Sequence, residues 1–204
     1  MVGVGGDELT AVGPDLADGV PVFITAGPAK SGRSTILATM ARSLLAAGTQ
    51  LVLVTPRPSP LRALADQPGV VAAFEGPELG AAEFAAAVGS FTGSGVVIID
   101  DAERHRDCEA EAELSKLISF GADQHQGLII AGDAEALSMG FGGWHVEARR
   151  ARRGALIAPQ TLPEGDLIGV RLSRGLTGES PKPGRALLNV GDGNLITVTV
   201  PAPE

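Results

Sequence analysis

Gly27, Gly32, Arg33 and Ser34 fall at the spacing G-x-x-x-x-G-[K/R]-S within the run Gly27-Pro28-Ala29-Lys30-Ser31-Gly32-Arg33-Ser34-Thr35. A loop of this kind turns successive backbone N–H groups inward, and a following helix adds the positive end of its dipole, so a polyphosphate fits there. The two glycines admit backbone angles that a side chain would forbid. Ser34 offers a hydroxyl to a magnesium ion, and the position before it ordinarily carries a lysine that brings charge to the terminal phosphates. Here that position is Arg33. The bland alternative, a plain glycine turn between a strand and a helix, leaves the length and flanks of the pattern unexplained.

A second group of residues bears on the same chemistry. Val96-Val97-Ile98-Ile99 runs into Asp100-Asp101, the form of a Walker B strand that buries itself and delivers an aspartate to the rim. Asp100 is then the residue that holds magnesium, through water. In ATPases with an inserted central strand the next position is a glutamate that polarises the attacking water. Asp101, one methylene shorter, is either that catalytic group or a solvated residue opening the loop Ala102 to Asp107. Asp133, after a further apolar run, is either a sensor of the terminal phosphate or the cap of the helix that follows.

These groups need elements to hold them. Val22 to Ala26 reads as a buried strand, and Ile36, Leu37, Met40, Ala41, Leu44 and Leu45 recur at helical spacing just after the loop. Further strands are expected at Leu51 to Thr55, Val70 to Phe74, Gly127 to Ala131, Ala155 to Ala158 and Leu167 to Leu172. Ala186 to Val190 and Leu195 to Val200 form a hairpin around Gly191-Asp192-Gly193-Asn194. A short helix is expected over Leu61 to Ala65, and longer ones over Glu78 to Val88, Glu109 to Phe120 and Ala134 to Arg153. In the last of these Gly142 and Gly143 are a potential break, and Leu137, Phe141, Trp144 and Ala148 share a face. Arg149, Arg150, Arg152 and Arg153 either complement its C-terminal dipole or meet an acidic neighbour. Residues 1–19, rich in Gly and Asp, read as a tail or linker, with one domain over 20–204.

Composition narrows the function classes. The formal net charge of −8 argues against a general nucleic-acid binder, which needs a basic surface to release counterions. Cys108 is the single cysteine, and with His105, His125 and His145 scattered it gives neither a disulfide framework nor a metal-ligand spacing. No apolar run approaches the roughly 20 residues that span a bilayer, so direct membrane insertion is not expected. No N-K-x-D guanine-reading motif occurs, which favours adenine.

The loop at Gly27 to Thr35, V-V-I-I-D-D at Val96 to Asp101, D-L-I-G-V-R-L-S-R at Asp166 to Arg174 and P-G-R-A-L-L at Pro183 to Leu188 together resemble an FtsK/SpoIIIE-type ATPase domain. The sequence is most similar to the degenerate C-terminal ATPase domains of EccC from type VII secretion systems. The resemblance covers nearly all of Val20 to Val200, and its last two motifs are the restrictive ones. It implies an α/β, RecA-like P-loop NTPase fold of the additional-strand class, with a central, mainly parallel sheet flanked by helices. ATP and Mg2+ are the implied cofactors, held by Gly27 to Thr35, by Pro183, Gly184 and Arg185, and by Asp100.

The resemblance also implies neighbouring ATPase domains of the same or another subunit, and the C-terminal signal of small helical secreted proteins as a partner. The parent would lie at the cytoplasmic face of a membrane as part of a longer anchored protein. Arg171 and Arg174 are candidates for an arginine acting in trans on a neighbour's phosphates, or are solvated loop residues. Arg33 for lysine and Asp101 for glutamate both weaken hydrolysis. Two functions therefore stand: a weakly or non-hydrolysing nucleotide-binding module that recruits substrate or regulates a motor, and a working ATPase motor subunit.

Overall fold

In the computed structural model, residues 1–6, 9–16 and 20–201 are described. The chain forms β1 (Gly3–Gly5), β2 (Thr10–Val12), β3 (Val22–Ala26), α1 (Arg33–Ala46), β4 (Gln50–Thr55), β5 (Val70–Glu75), α2 (Ala81–Gly89) and β6 (Gly95–Ile99). It continues through α3 (Glu111–Phe120), β7 (Gln126–Gly132), α4 (Ala134–Ser138), α5 (Trp144–Arg149), β8 (Gly154–Leu156), β9 (Arg185–Asn189) and β10 (Ile196–Thr199). Among the described residues the strands make one sheet in the order β2-β1-β10-β9-β8-β3-β7-β6-β4-β5. From β8 to β5 every pairing is parallel, whereas β9, β10, β1 and β2 add antiparallel ribbons on one side.

The near-continuous apolar runs follow from this layering, because a parallel strand covered on both faces must be apolar at every position. Alternate residues of β3 separate accordingly. Val22, Ile24 and Ala26 join a core with Phe84 of α2, Leu114 and Leu117 of α3 and Trp144 of α5. Phe23 faces the opposite core, with Ile36, Leu37 and Met40 of α1. β7 lies between β3 and β6, so a strand is inserted between the one that precedes the phosphate loop and the one that precedes Asp100. The expected β9–β10 hairpin is present, with Leu188 opposite Ile196.

Five expectations are corrected. The tail expected over residues 1–19 instead contributes β1 and β2, in which Val4 pairs with Thr199 of β10 and Val2 is fully buried. The low apolar content hid this, since β1 is held by edge pairing with the hairpin rather than by a large hydrophobic face. The single helix expected over Ala134 to Arg153 is two short ones, α4 and α5. Gly140 (φ 92°) and Gly143 (φ 89°) adopt left-handed backbone that a helix does not contain, and Arg149 donates to the carbonyls of Ser138 and Gly140 across the break. Phe141, expected inward, is fully exposed, while Trp144 is buried and donates its indole N–H to the His105 carbonyl at 2.9 Å.

Arg153 is likewise not an exposed helix end. It is buried, with Nε donating to Val22 O at 2.9 Å and Nη1 to Asp15 O at 3.0 Å. The strand expected at Leu167 to Leu172 is instead the end of a 3-10 helix, Leu162–Ile168, followed by a turn at Gly169 (φ 73°). Glu164 starts that helix by accepting from the backbone N–H groups of Gln160 and Thr161 at 3.0 and 2.9 Å. Leu167, Ile168, Val170 and Leu172 are buried all the same, which explains why their apolar pattern imitates a strand.

Two histidines are buried in this packing. His105 is fully buried and His145 nearly so, and neither ring nitrogen of either residue has a hydrogen-bond partner among the described residues. Burial lowers the pKa of both, and the charges of Arg106 and Arg149 lower His145 further. The unfolded chain therefore takes up protons more readily, so stability is full above about pH 6.5 and falls as pH drops below it. The urea midpoint is expected to fall between pH 7.5 and 5.5, and His105→Gln should remove part of that fall. An identical pH dependence in the variant would exclude His105 as a contributor. Trp144→Ala should cost about 3–5 kcal/mol in the same measurement at pH 7.5.

Candidate functional site

β3 and β6 run parallel within the sheet, so the loops that leave their C-terminal ends meet at one edge. After Ala26 the chain turns tightly at Gly27. A Cβ there would lie 2.6 Å from the Ile157 carbonyl oxygen and 2.9 Å from Ser31 Oγ, so only glycine fits. Lys30 (φ 62°) and Gly32 (φ 106°) carry left-handed backbone that curls the loop, and Ile36 N–H donates to Gly32 O at 3.0 Å to begin α1. The first turn of α1 has no side-chain cap and no acidic residue, so its N–H groups and dipole remain available to an anion. Ser31 Oγ is buried without a hydrogen-bond partner among the described residues, a second sign that the loop is shaped for a ligand.

The two aspartates behave differently. Asp100 is 2% exposed, and its carboxylate accepts from Ser59 Oγ at 2.7 Å and from the Asp101 backbone N–H at 3.1 Å. Asp101 has left-handed backbone (φ 47°), which swings its side chain toward the phosphate loop. There its carboxylate is shared by two arginines. Arg33 Nη2 donates to Oδ1 at 3.2 Å, while Arg57 donates through Nε to Oδ2 at 2.8 Å and lies with Nη2 2.7 Å from Oδ1. Arg33 Nη1 also donates to the Gly27 carbonyl at 2.9 Å, so this guanidinium fastens Asp101 to the start of the loop. Burial raises the Asp101 pKa, but the Arg57 hydrogen bond and the charges of Arg57, Arg33 and Arg104 outweigh it and hold the acid below its ordinary range.

Two adjoining clefts open here. One, of about 550 Å3, is lined by Ala29, Lys30, Gly32 to Thr35, Arg57, Pro58 and Asp101. The other, of about 510 Å3, lies on the far side of the loop and has apolar walls from Ile36, Ile157, Pro181, Pro183 and Val200, with Gly184 and Arg185 beside them. Lys30 lines both. Asp100 lines neither, Asp133 caps α4 by accepting from Ala136 N–H at 3.1 Å, and Arg171 and Arg174 are exposed and outside both linings. The loop Gly27 to Thr35 and the triplet Pro183 to Arg185, distant in sequence, thus face one another.

Arg57 and Ser59 are functional-site residues that the sequence reading missed. The signal was an arginine between Pro56 and Pro58 directly after a buried strand, at the sheet edge where the phosphate loop emerges. Glu103 was also passed over. Its Oε2 is buried without a hydrogen-bond partner among the described residues, and a Cβ on Gly132 would lie 2.5 Å from it. Burial raises the Glu103 pKa.

Comparison with known proteins gives structural neighbours only: no family model matches the chain, and no curated protein matches its sequence. EssC (ATPases 2 and 3) from Geobacillus thermodenitrificans superposes with a TM-score of 0.73 at 16% identity, covering 98% of this chain and 40% of that one. Thermomonospora curvata EccC (ATPases 2 and 3), solved in complex with a signal sequence peptide, gives 0.70 at 17% identity over 100% of this chain and 40% of that one. The pCW3 conjugation coupling protein TcpA with ATPγS gives 0.57 at 16% identity over 100% and 66%. The chain spans about two fifths of the EssC and EccC structures. It has the RecA-like P-loop ATPase fold of these domains, as the resemblance implied.

The shared carboxylate generates an asymmetric expectation for stability. Asp101→Asn leaves Arg33 charged, with only 9% of its side chain exposed, and should cost about 3 kcal/mol in urea unfolding. Arg57→Ala removes a side chain that is 47% exposed and leaves the Arg33 pair intact, so it should cost under about 1 kcal/mol. The sign with pH also follows. A lowered Asp101 pKa contributes stability that is present above the unfolded carboxylate value of about 4 and lost as pH falls through the folded one. Equal losses from the two substitutions would assign the acid's stabilising contribution to Arg57 and leave none to Arg33.

Proposed function

We propose that this chain is a nucleotide-binding, weakly or non-hydrolysing ATPase domain of a type VII secretion-type translocase, which recruits a secreted substrate or regulates a neighbouring motor domain. The observation that carries the reading is the double arginine lock on Asp101. A general base must accept a proton from the attacking water, and a carboxylate held in its charged form by the buried Arg33, with Arg57 beside it, is a weak acceptor. The loop is nonetheless built for phosphate, with an uncapped helix N-terminus, left-handed Gly32 and the unpartnered Ser31 hydroxyl. Nucleotide binding and slow turnover are therefore compatible.

ATP fits the paired clefts, with phosphates against Gly27 to Thr35 and the base in the apolar cleft beside Pro183, Gly184 and Arg185. Ser34, which lines the phosphate cleft, would hold magnesium there, with Asp100 behind the cleft wall reaching it through water; the ion when bound would neutralise charge on the β- and γ-phosphates. Lys30 and the first-turn N–H groups of α1 orient the phosphates, and Asp101 keeps Arg33 at the cleft wall.

The partner proposal rests on the EccC structure, which holds a signal sequence peptide. A domain with a net charge of −8 suits a C-terminal signal carrying basic residues, docked as an amphipathic helix. The domain would act at the cytoplasmic face of a membrane, within a longer anchored protein, beside other ATPase domains. Among the described residues no helix is long and apolar enough to cross a membrane. A motor role is the second reading, favoured by the exposure of Arg171 and Arg174, which leaves both free to reach a neighbour's phosphates.

Isothermal titration is expected to show magnesium-dependent ATP binding that Gly32→Val abolishes, and turnover well below 1 s⁻¹, the lower end of typical enzymes at roughly 1–10³ s⁻¹. A rate near 1 s⁻¹ that Asp100→Ala removes would establish the motor reading instead. Pull-down with C-terminal tails of small helical secreted proteins should give a Kd in roughly the micromolar range, or about −8 kcal/mol. Failure to retain any tail, with ATP-dependent oligomers that Arg174→Ala disperses, would discard recruitment.

A further inference from the structure

The phosphate cleft carries three cationic side chains, Lys30, Arg33 and Arg57, and they are not equally available. Arg33 stands where the phosphate-contacting lysine is expected, yet it is buried and held between the Gly27 carbonyl and Asp101. Turning it onto a phosphate would loosen the loop it fastens. Arg57 differs in each respect. It comes from the opposite wall, on the segment after β4, and it is half exposed. Among the described residues its hydrogen-bond partner is the Asp101 carboxylate, which retains Arg33 when Arg57 leaves. A guanidinium bound to a carboxylate in bidentate fashion presents the same fork that grips two phosphate oxygens.

We propose that Arg57 is the residue that reads the terminal phosphate: a nucleoside triphosphate draws its guanidinium off Asp101, so the site distinguishes triphosphate from diphosphate without a lysine at position 33. The exchange balances in charge. One anion, Asp101, yields a donor pair to another and keeps Arg33 as its counter-ion, so no buried charge is stranded. Pro56 and Pro58 on either side restrict the backbone, so the movement belongs to the arginine side chain. Lys30, exposed and lining both clefts, then serves the phosphates common to both nucleotides.

This inference rests on the nucleotide-binding reading above, and the experiment separates the two. Titration of the whole chain with ADP and with a non-hydrolysable ATP analogue, in magnesium buffer, is carried out on wild type, Arg57→Ala and Arg57→Lys. Wild type should prefer the triphosphate. Arg57→Ala should weaken triphosphate binding about 10- to 100-fold and ADP binding by less than about threefold, the loss expected of a charge-assisted contact to the terminal group alone. Arg57→Lys should fall between, because the charge remains but the fork does not. Retained ADP binding reports that each variant is folded. Equal weakening of both nucleotides, or of neither, overturns the assignment to Arg57 and leaves nucleotide binding standing. Absence of binding by wild type removes both.

Discussion

The carboxylate of Asp101 is the point through which this site is held together. It accepts from two guanidiniums on opposite walls: Arg33 from the first turn of α1, and Arg57 from the segment after β4. Because Arg33 also donates to Gly27, the loop from Gly27 to Thr35, Asp101 and the neighbouring strand end form one connected unit. In a cleft partly shielded from water such charge-assisted bonds are stronger than on an open surface, and removing the shared acid strands a buried cation. On the proposed reading, the same interaction that orders the loop also withdraws the acid from base chemistry.

That contact depends on strand order. Asp101 meets Arg33 and Arg57 because β3, β6 and β4 end at the same sheet edge, with β7 between β3 and β6. Both sheet faces are covered, by α1 on one side and by α2, α3 and α5 on the other, so the strands tolerate apolar residues throughout and polar chemistry is displaced to the strand ends. The antiparallel side of the sheet, from β9 to β2, adds a second wall. Its first residues, Pro183 to Arg185, bring the apolar cleft against the phosphate loop.

Departures from regular structure gather around this edge. Lys30 and Asp101 are non-glycine residues in left-handed backbone, each at a point where the chain must turn a side chain into or away from the cleft. Behind them, Asp100 is buried under Ser59 and Glu103 carries an unpartnered carboxyl oxygen. Acidic groups are thus layered behind the cleft wall, and only Asp101 faces the cleft.

Local pattern made much of the chain legible. The glycine spacing from Gly27 to Gly32, the helical repeat of α1 and the apolar runs of β3, β4, β6 and β7 depend on neighbours in sequence, and they specify a phosphate loop on a parallel sheet. The hairpin of β9 and β10 was readable for the same reason, since its turn residues are contiguous. Where burial arises without periodic structure the pattern misled: Leu167 to Leu172 are packed as a turn, and Phe141 is thrown outward by the glycines beside it. The pairing of β1 with β10 was hidden because its partner lies at the other end of the chain. Sequence alone also determined that Arg33 and Asp101 replace the usual residues. Only the tertiary structure decided that these two replacements are joined to each other and to Arg57, because an ion pair is specified by the distance between strand ends, and that distance is set by the order of the sheet.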